Sequence, residues 1–361
     1  MVILLCQHLR NLLKIKKMIR VLVTGAGALL GQGILRSLRM GDNNYCIISA
    51  DPSELSTGHV LADISYLIPF ANDSGYIERI EEIILREKIE YIFVGTDVEL
   101  MLFAKNKKYL EGKYNVKVFV SSEKVVEISN DKKKTADFLE NNGFPYPIST
   151  MTSDSLGIVK LKNLGEYPYI AKPADGARSK GLRMINNESE LNEICSFKNN
   201  LVVQQYINEN EGEFTTGCLI VEGECKAVVS MVRDLRDGNT WRAYRNKETS
   251  KHDALIEEIA NKLKADGAIN FQYRIKNDKP VIFEINGRFS GTTPLRAVFG
   301  FNEVEALIDF YAKGKEIETS KLREGTILRT FSDVFIENEI VESFKMNKEI
   351  IKYKSEYISF K

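Results

Sequence analysis

Short apolar runs alternate with amphipathic segments through the first third of the chain. Ile19–Thr24 is an apolar run bounded by glycine, and the segments CIISAD, ISYLIPF, YIFVGTD and VKVFVSS have the same character. Helical patterns at Ile77–Lys88 and Val98–Tyr109 separate some of these runs. Short runs without polar alternation are typical of strands that are buried on both faces. The pattern therefore predicts an open parallel α/β sheet.

The pattern changes from about residue 126 onwards. Asn130–Leu139 reads as a helix with a basic face, and Gly143 ends it. YPYIAKP and LVVQQYI predict strands, and two hairpins follow, with turns at Glu222-Gly223 and Lys276–Pro280. A helix at Ala254–Ala265 separates the hairpins. Strands and helices here do not alternate strictly, which indicates a second domain of the α+β type.

Residues 1–17 read MVILLCQHLRNLLKIKK, apolar first and basic afterwards. A secretory signal has the opposite order, with its charges before the apolar run. Met18 is followed at once by the first predicted strand. We therefore expect residues 1–17 to be an N-terminal extension, either from an upstream translation start or a loose helix, that the fold does not need. A short interfacial helix is the alternative.

The composition is that of a globular protein. A length of 361 residues is enough for two or three domains. Lys plus Arg number 50 and Asp plus Glu number 50, so the net charge is zero, which argues against non-specific binding of nucleic acid. No apolar run approaches the roughly 20 residues of a membrane-spanning helix, so no membrane partner is expected.

The cysteines argue for a reducing compartment. There are five Cys and three His, and no CxxC pair, so a structural zinc site is not expected. Widely spaced cysteines in odd number are most simply free thiols, which predicts a cytoplasmic protein.

An oxygen-rich group is predicted on the last hairpin. Glu284 and Asn286 are two residues apart on a strand, so their side chains leave the same face, and Gln272 on the paired strand can reach that face. One carboxylate and two amides suit Mg²⁺, which takes few protein oxygens. Arg288 continues the alternation and could stabilise a transferring phosphoryl group. The alternative is a polar outer face with a salt bridge between Glu284 and Arg288.

A glycine turn follows the first strand and leaves a second chemistry open. The turn, Gly25 to Gly31, reads GAGALLG, and Asp51 lies about 20 residues further on. This is the arrangement of a dinucleotide fold, so an NAD(P)-dependent oxidoreductase or epimerase is an alternative. The spacing is GxGxxxG rather than GxGxxG, and the two Tyr-x-x-x-Lys pairs, at Tyr109 and Tyr311, are not placed where such an enzyme needs them.

Taken together, the motifs resemble the ATP-grasp superfamily, and within it the stand-alone proteins similar to the carbamoyl-phosphate synthase large chain. The segment FEINGRFSGTTPL, with NFQ about a dozen residues before it, carries most of the resemblance, together with the loop ADGARSKG at 174–181. The resemblance implies a Rossmann-like preATP-grasp domain at 18–125 and an ATP-grasp domain at 126–340. It also implies a mobile lid subdomain at about 148–207 and a C-terminal tail at 341–361.

The resemblance also implies roles for individual residues. ATP would be held by Lys132 and Lys172 at its phosphates, and by Glu213 at its ribose. Mg²⁺ or Mn²⁺ would be held by Gln272, Glu284 and Asn286, and Arg288 would act with Lys172 at the transferring phosphoryl group. The remaining ATP-binding residues belong to the lid loop and to the hinge beside the adenine: Asp175, Gly176, Ser179, Lys180, Gly181, Gln204, Gln205, Tyr206 and Ile207.

Two departures from the family pattern limit the function. Gln272 stands where many relatives have a second acid, so a second metal ion would bind more weakly. The synthase carries two grasp copies and works with a glutaminase, whereas this chain shows no internal repeat. We therefore do not expect it to make carbamoyl phosphate from glutamine.

The implied activity is ligation of a carboxylate to an amine through an acyl phosphate, with release of ADP and phosphate. Both substrates would be small molecules, bound between the two domains. Cations and hydroxyls that could bind the substrate carboxylate are Arg233, Arg236, Arg242, Thr292, Thr293 and Arg296. A charged hairpin exposed to solvent is the alternative for each arginine. A non-catalytic nucleotide-binding module is a further alternative, and the last 20 residues predict either a peripheral helix or the arm of a homodimer.

Overall fold

The computed structural model of the protein describes residues 18–174, 181–196, 201–208, 210, 212–330 and 332–358. The N-terminal extension, 1–17, lies outside the described residues, as do four of the predicted lid residues: Asp175, Gly176, Ser179 and Lys180.

The first sheet has six strands in the order β17-β3-β2-β1-β4-β5. The five N-terminal strands are parallel, and the last strand pairs antiparallel with β3. The strands are β1 (Ile19–Val23), β2 (Tyr45–Asp51), β3 (Ile64–Leu67), β4 (Tyr91–Phe93), β5 (Lys117–Phe119) and β17 (Glu349–Ile351). The prediction of an open parallel α/β sheet is confirmed.

Helices cover both faces of this sheet. They are α1 (Leu29–Met40), α2 (Tyr76–Glu87) and α3 (Asp97–Tyr114). Val21 and Val23 pack with Ile34 of α1, whereas Leu22 points to the other face and packs with Ile80 of α2. Because the apolar positions of β1 meet a hydrophobic core on one face or the other, the strand reads as an apolar run that only Arg20 interrupts. Helix α2 matches its prediction within a residue, and α3 continues beyond its predicted end.

The second sheet is antiparallel, with the order β14-β13-β10-β11-β12-β15. Its strands are β10 (Glu213–Val221), β11 (Glu224–Arg236), β12 (Asn239–Arg245), β13 (Gly267–Lys276), β14 (Lys279–Asn286) and β15 (Gly325–Leu328). Both predicted hairpins are present. Glu222 and Gly223 turn the first with φ angles of 55° and 83°, a left-handed conformation that glycine adopts without strain.

Three helices pack on the second sheet or beside it: α4 (Glu123–Asn130), α5 (Lys132–Asn141) and α8 (Asp253–Leu263). The helix predicted over Asn130–Leu139 is interrupted at Asp131. The carboxylate of Asp131 accepts hydrogen bonds from the backbone N–H groups of Lys133 and Lys134 and so begins α5 as an N-cap.

The third sheet has four strands in the order β6-β9-β7-β8. The strands are β6 (Ser149–Met151), β7 (Tyr169–Pro173), β8 (Arg183–Ile185) and β9 (Leu201–Gln205), and the helices beside them are α6 (Ser155–Leu164) and α7 (Glu188–Ser196). This sheet falls within residues 148–207, the segment for which a lid subdomain is predicted. The loop at 174–181 connects β7 to β8.

The C-terminal segment docks on the first sheet. The remaining elements are α9 (Thr293–Val298), α10 (Glu303–Lys313), α11 (Asn338–Asn347), β16 (Asp333–Phe335) and β18 (Glu356–Ile358). Phe344 of α11 packs edge-on against His59, with ring centres 5.0 Å apart, and Tyr353 lies beside both. Across the described ranges, no helix combines the length and the apolar character that crossing a bilayer requires.

Candidate active site

A cleft of about 290 Å³ lies where the three sheets meet. The glycine turn and the start of α1 form one wall, and strands β11, β13 and β14 form another. The ends of β7 and β9 and the start of α5 complete it. Charged side chains from the second sheet, from the end of β7 and from the start of α5 line this cleft, together with Asp97 of the first domain.

The predicted metal ligands come together. Gln272 on β13 pairs with Glu284 on β14, and Asn286 Nδ2 donates to Glu284 Oε1 at 3.2 Å. Gln272 Oε1 accepts a hydrogen bond from Arg233 Nη2 at 2.8 Å. One carboxylate and two amide oxygens fit a cation such as Mg²⁺ that completes its shell with phosphate and water. No cluster of three or more His, Cys, Asp or Glu suited to a metal ion occurs among the described residues.

Lys172, at the end of β7, is buried in the cleft. Its Nζ donates to Gln204 Oε1 at 2.7 Å, and Gln204 Nε2 donates in turn to Ser149 Oγ at 2.8 Å. Burial lowers the pKa of Lys172 to about 8; the charge of Glu284 opposes this shift, and the charge of Lys132 contributes to it. The ammonium group is therefore held where a negative ligand would stabilise it.

Lys132, the first residue of α5, is tied to the start of the predicted lid loop. Both its backbone N–H and its Nζ donate to the carbonyl oxygen of Ala174, at 3.1 and 3.4 Å. Gly181, at the other end of that loop, has a φ of 75°. The loop is thus anchored at its first residue by one of the predicted phosphate cations.

Glu213, predicted to hold a ribose, is buried between two arginines. Its Oε1 accepts from Arg233 Nη2 at 2.6 Å, and its Oε2 accepts from Arg274 Nη2 at 2.9 Å. Arg274 Nη1 also donates to the carbonyl oxygen of Ile207 in the predicted hinge, at 2.8 Å. Both carboxylate oxygens of Glu213 are therefore engaged.

The other predicted hinge residues lie on or just after β9. Gln204 and Gln205 are buried; the side chain of Gln205 donates to Glu166, which also pairs with Lys276 at 2.7 Å. The ring of Tyr206 lies 5.5 Å from the guanidinium of Arg274. These contacts hold the side chains of the hinge residues in place. The predicted contacts with an adenine involve their backbone groups instead.

Arg288 contacts the first domain rather than Glu284. Its Nε donates to Asp97 Oδ1 at 2.6 Å and its Nη2 donates to Asp97 Oδ2 at 3.4 Å. Only 11% of the Arg288 side chain is exposed. Asp97 is the first residue of α3, so this ion pair links the first sheet to the second.

The predicted substrate residues divide into three groups. Arg233 and Thr292 line the cleft. Arg236 instead lies over the Trp241 ring at 4.9 Å, and Arg242 pairs with Asp234 at 3.7 Å on the exposed side of the hairpin. For these two arginines, the alternative of an exposed hairpin describes the structure.

Arg296 and Thr293 are buried behind the cleft wall. Arg296 Nε donates to Glu303 Oε2 at 2.8 Å, and both side chains are 1% exposed. Thr293 Oγ1 donates to the same carboxylate. Arg296 thus neutralises a buried glutamate that joins α9 to α10, so its placement supports a role in stability rather than in substrate binding.

The cleft also contains residues that the sequence analysis did not select: Asp97, Asn270, Arg274 and Arg329. Two of these residues could have been identified from the neighbouring sequence. Asp97 follows a predicted parallel strand at its carboxyl end, where α/β folds place ligands. Arg274 alternates with Gln272 on β13. Arg329 could not have been identified in this way, because it reaches the cleft from the end of β15, near the C-terminus.

The glycine turn is closed by contacts within the first domain. Gly27 N–H donates to Asp51 Oδ2 at 2.8 Å, and Asp51 Oδ1 accepts from Ser53 N–H at 3.1 Å and from the Ser56 hydroxyl. A Cβ on Gly58 would lie 2.0 Å from the carbonyl oxygen of Ala26. The carboxylate that a dinucleotide ribose would need is therefore engaged within the first domain, as it would be in a turn that only packs the strand against the helix.

Comparison with known proteins agrees with this architecture. Residues 129–292 match the family model described as ATP-grasp domain, and residues 21–119 match that described as PylC-like, N-terminal domain. The carbamoyl phosphate synthase large chain of Campylobacter jejuni is 25% identical over 313 residues, which cover 79% of this chain and 28% of that protein. The homologous protein of Sulfurisphaera tokodaii is 24% identical over 290 residues, covering 75% and 26%. The chain thus spans little more than a quarter of the length of these relatives.

Solved structures share the fold. N5-carboxyaminoimidazole synthetase from Staphylococcus aureus, complexed with ADP, has a TM-score of 0.66 at 17% identity, covering 92% of this chain and 86% of its own. The biotin carboxylase domain of Hydrogenobacter thermophilus 2-oxoglutarate carboxylase, a dimer with MgADP, ADP and bicarbonate, has a TM-score of 0.66 at 19% identity, covering 85% and 73%. The predicted fold class, a preATP-grasp-like α/β domain followed by an ATP-grasp fold, is confirmed. The chain therefore carries an ATP-grasp domain preceded by a PylC-like N-terminal domain, with a distant similarity to the carbamoyl phosphate synthase large chain.

Proposed function

We propose that the chain is an ATP-dependent ligase that joins a carboxylate to an amine on small-molecule substrates. The observation that carries the proposal is the convergence of Lys172, from the third sheet, with Glu284 and Arg288, from the second sheet and the residues after it, in one cleft. Phosphoryl transfer needs positioning and charge neutralisation more than covalent help from the protein.

The proposed reaction has two steps. A carboxylate oxygen attacks the γ-phosphorus of ATP, the bond from that phosphorus to the β-γ bridging oxygen breaks, and ADP leaves. The amine nitrogen then attacks the acyl carbon, phosphate departs with the electron pair of the carbon–oxygen bond, and the nitrogen loses a proton. The products are an amide, ADP and phosphate.

Lys132 and Lys172 would neutralise the phosphates of the nucleotide, and Arg288 would stabilise charge on the transferring group. Glu284, Asn286 and Gln272 would hold Mg²⁺, which supplies charge neutralisation at the phosphate oxygens. Arg288 is bound to Asp97 and Gln272 to Arg233, so both side chains must exchange partners when the nucleotide binds.

The nucleoside end would lie along Gln204, Gln205, Tyr206 and Ile207. Their backbone groups would pair with the adenine edge. Glu213 would bind the ribose only after one of its two arginine partners moves aside. The loop that contains Asp175, Gly176, Ser179, Lys180 and Gly181 would close over the phosphates and keep water from the acyl phosphate.

ADP release tests the proposal. The purified chain, with MgATP and a panel of carboxylate–amine pairs, is expected to release ADP only when both partners of a suitable pair are present. Glu284→Gln and Lys172→Ala should each abolish turnover without unfolding the protein. Glu258→Gln and Lys262→Ala, which change exposed residues of α8, serve as matched controls.

Two outcomes would count against the proposal. Retained turnover in Glu284→Gln or Lys172→Ala would refute the site assignment. Nucleotide binding without ADP release for any pair would favour the non-catalytic nucleotide-binding module. The homodimer, one of the two alternatives for the C-terminal residues, is tested separately by the molar mass of the chain in solution.

A further inference from the structure

Two hydrogen bonds in series lead from outside the cleft to Lys172. Ser149 begins β6 and lies opposite Gln204 of β9 in the register of the third sheet. Gln204 Nε2 donates to Ser149 Oγ at 2.8 Å, and Gln204 Oε1 accepts from Lys172 Nζ at 2.7 Å. Gln204 and Lys172 line the cleft, whereas Ser149 lines a separate crevice of about 260 Å³ between α5 and α6. Ser149 therefore acts on the cleft through the amide of Gln204.

The orientation of the Gln204 amide is fixed at both ends. The Ser149 hydroxyl donates its one hydrogen to the carbonyl oxygen of Pro147 at 2.7 Å, so it can only accept from Gln204. An ammonium group has three donors and no acceptor, so Lys172 must face the amide oxygen. Gln204 is 3% exposed, and a flipped amide would bury two mismatched contacts. The amide thus turns its oxygen toward the cleft and its nitrogen away from it.

Apolar side chains border the end of the cleft that contains this oxygen. Leu182, Ile207 and Phe283 all line the cleft. Arg274 connects two of them, since its Nη1 donates to the carbonyl oxygen of Ile207 at 2.8 Å and its guanidinium lies 5.6 Å from the Phe283 ring. Gln204 precedes Ile207 by three residues, so the amide belongs to the same end. A flat base would pack against these apolar side chains with its polar edge toward the amide.

The amide oxygen can accept a hydrogen bond from a base but cannot donate one. In the nucleotide complex the ammonium group of Lys172 would turn to the phosphates, as the proposed function requires, and Ser149 would remain as the partner that fixes the amide of Gln204. Adenine offers an N–H donor from its exocyclic amino group. Guanine and hypoxanthine carry an oxygen at the same ring position, so two acceptors would face each other, and buried polar groups left unpaired weaken binding.

We propose that Ser149 is a positioning residue for the nucleotide site, which holds the oxygen of Gln204 toward the base and so makes the site select a purine with an amino group at that ring position over one with an oxygen. The inference rests on the proposed function, because it concerns the base of the nucleotide that the ligase would use. It adds to the hinge backbone groups a residue outside the cleft that contacts neither the nucleotide nor the metal.

Nucleotide binding to the full chain, measured by calorimetry, tests the inference. The probes are the magnesium complexes of three diphosphates, which exclude turnover during the titration. They are ADP, purine riboside diphosphate, which lacks only the amino group, and IDP, which carries an oxygen in its place. In the wild type, ADP should bind several-fold tighter than purine riboside diphosphate and about tenfold or more tighter than IDP.

Three variants separate positioning from a general loss of structure. Ser149→Ala removes the acceptor for Gln204 Nε2, so the amide can turn, and both preferences for ADP should fall at least about threefold. Ser149→Thr keeps the hydroxyl and should keep both preferences. Ser196→Ala is the matched control, since the Ser196 hydroxyl also donates to a backbone carbonyl oxygen, at 2.6 Å, but is exposed, and it should change neither preference. A merely structural role of Ser149 would lower the affinities for all three nucleotides by the same factor.

Gln204 offers a second test if Ser149→Ala folds poorly. Gln204→Glu accepts at both ends, and the Ser149 hydroxyl can reverse to donate, so the preference for ADP over IDP should persist. Gln204→Met removes the acceptor, so ADP and purine riboside diphosphate should bind equally.

The outcomes separate this inference from the proposed function. Equal binding of the three nucleotides by the wild type, or preferences in Ser149→Ala equal to those of the wild type, would overturn the inference and leave the ligase proposal standing. Absence of binding by all three nucleotides would overturn the inference and count against the ligase proposal as well.

Discussion

Replacing the buried Lys172 by methionine should stabilise the protein while removing its proposed activity. In the folded chain the ammonium group lies in the cleft with a neutral partner, Gln204 Oε1, at 2.7 Å. Burial holds its pKa at about 8, below the ordinary value of 10.5. Methionine has a similar length and no charge to desolvate.

The magnitude follows from the two pKa values. A tenfold change in proton affinity corresponds to about 1.4 kcal/mol, so the charged lysine costs the fold about 3 kcal/mol at neutral pH. Losing the hydrogen bond to Gln204 offsets about 1 kcal/mol of the gain. We expect Lys172→Met to be more stable than wild type by about 2 kcal/mol at pH 7, a rise of a few degrees in the unfolding midpoint.

The sign of the pH dependence is a sharper test. Between about pH 8 and pH 10.5 the unfolded chain binds the Lys172 proton more tightly than the folded chain does, so wild-type stability rises with pH. The higher stability of Lys172→Met relative to wild type should therefore disappear between pH 8 and pH 10.5. The assay is thermal unfolding of wild type, Lys172→Met and the exposed control Lys262→Met at pH 7 and pH 10.5. A variant less stable than wild type at pH 7, or a difference independent of pH, would refute the reasoning.

Three further predictions concern ion pairs and one buried acid. Asp97→Asn releases Arg288 from its ion pair. Calorimetry should therefore show several-fold tighter binding of a non-hydrolysable ATP analogue, with unchanged binding of ADP. Equal changes in the affinities for both nucleotides would contradict this prediction. Arg296→Ala leaves Glu303 buried and unpaired, so denaturation should show a loss of about 3–5 kcal/mol, against less than about 0.5 kcal/mol for the exposed Arg242→Ala. Burial raises the pKa of Glu99 to about 7 from 4.5, so wild type should lose stability relative to Glu99→Gln as pH rises through that range. Equal midpoint changes in the two proteins between pH 4.5 and pH 7 would contradict it.

The ion pair between Arg288 and Asp97 makes the position of Arg288 in the site depend on the first domain as well as the second. Asp97 begins α3 on the first sheet, and Arg288 follows β14 of the second. A γ-phosphate at Arg288 would compete with this carboxylate. Nucleotide binding would then loosen one contact between the domains while it forms new ones with the predicted lid loop.

The parts of the fold predictable from sequence are those set by local periodicity. The predominantly apolar character of β1 predicted a strand covered on both faces, and α1 and α2 provide that cover. The two-residue spacing of Glu284 and Asn286 predicted a shared face with Gln272, because alternation along a strand is independent of tertiary structure.

Features that depend on distant segments were not predictable in the same way. Arg296 lies in a cation-rich stretch that reads as a substrate site, but docking of α10 buries it against Glu303. Arg329 reaches the cleft only because β15 pairs with β12. Strand β12 was expected only under the alternative of a charged, exposed hairpin, since NTWRAYR is rich in polar and charged residues. The N-cap at Asp131 was readable in principle, because an acid before a basic helical stretch is a common start signal.

Nucleotide-dependent thermal unfolding of the full chain tests the central claim most directly. The midpoint is measured with MgATP, with ATP plus chelator, and with NADH or NADPH. A ligand at about 100 times its dissociation constant stabilises the folded state by roughly 2.7 kcal/mol, which should raise the midpoint by at least a couple of degrees. The account predicts a rise with MgATP that the chelator reduces and that Glu284→Gln abolishes. A rise with the dinucleotides alone would contradict it and place the ligand site at the glycine turn.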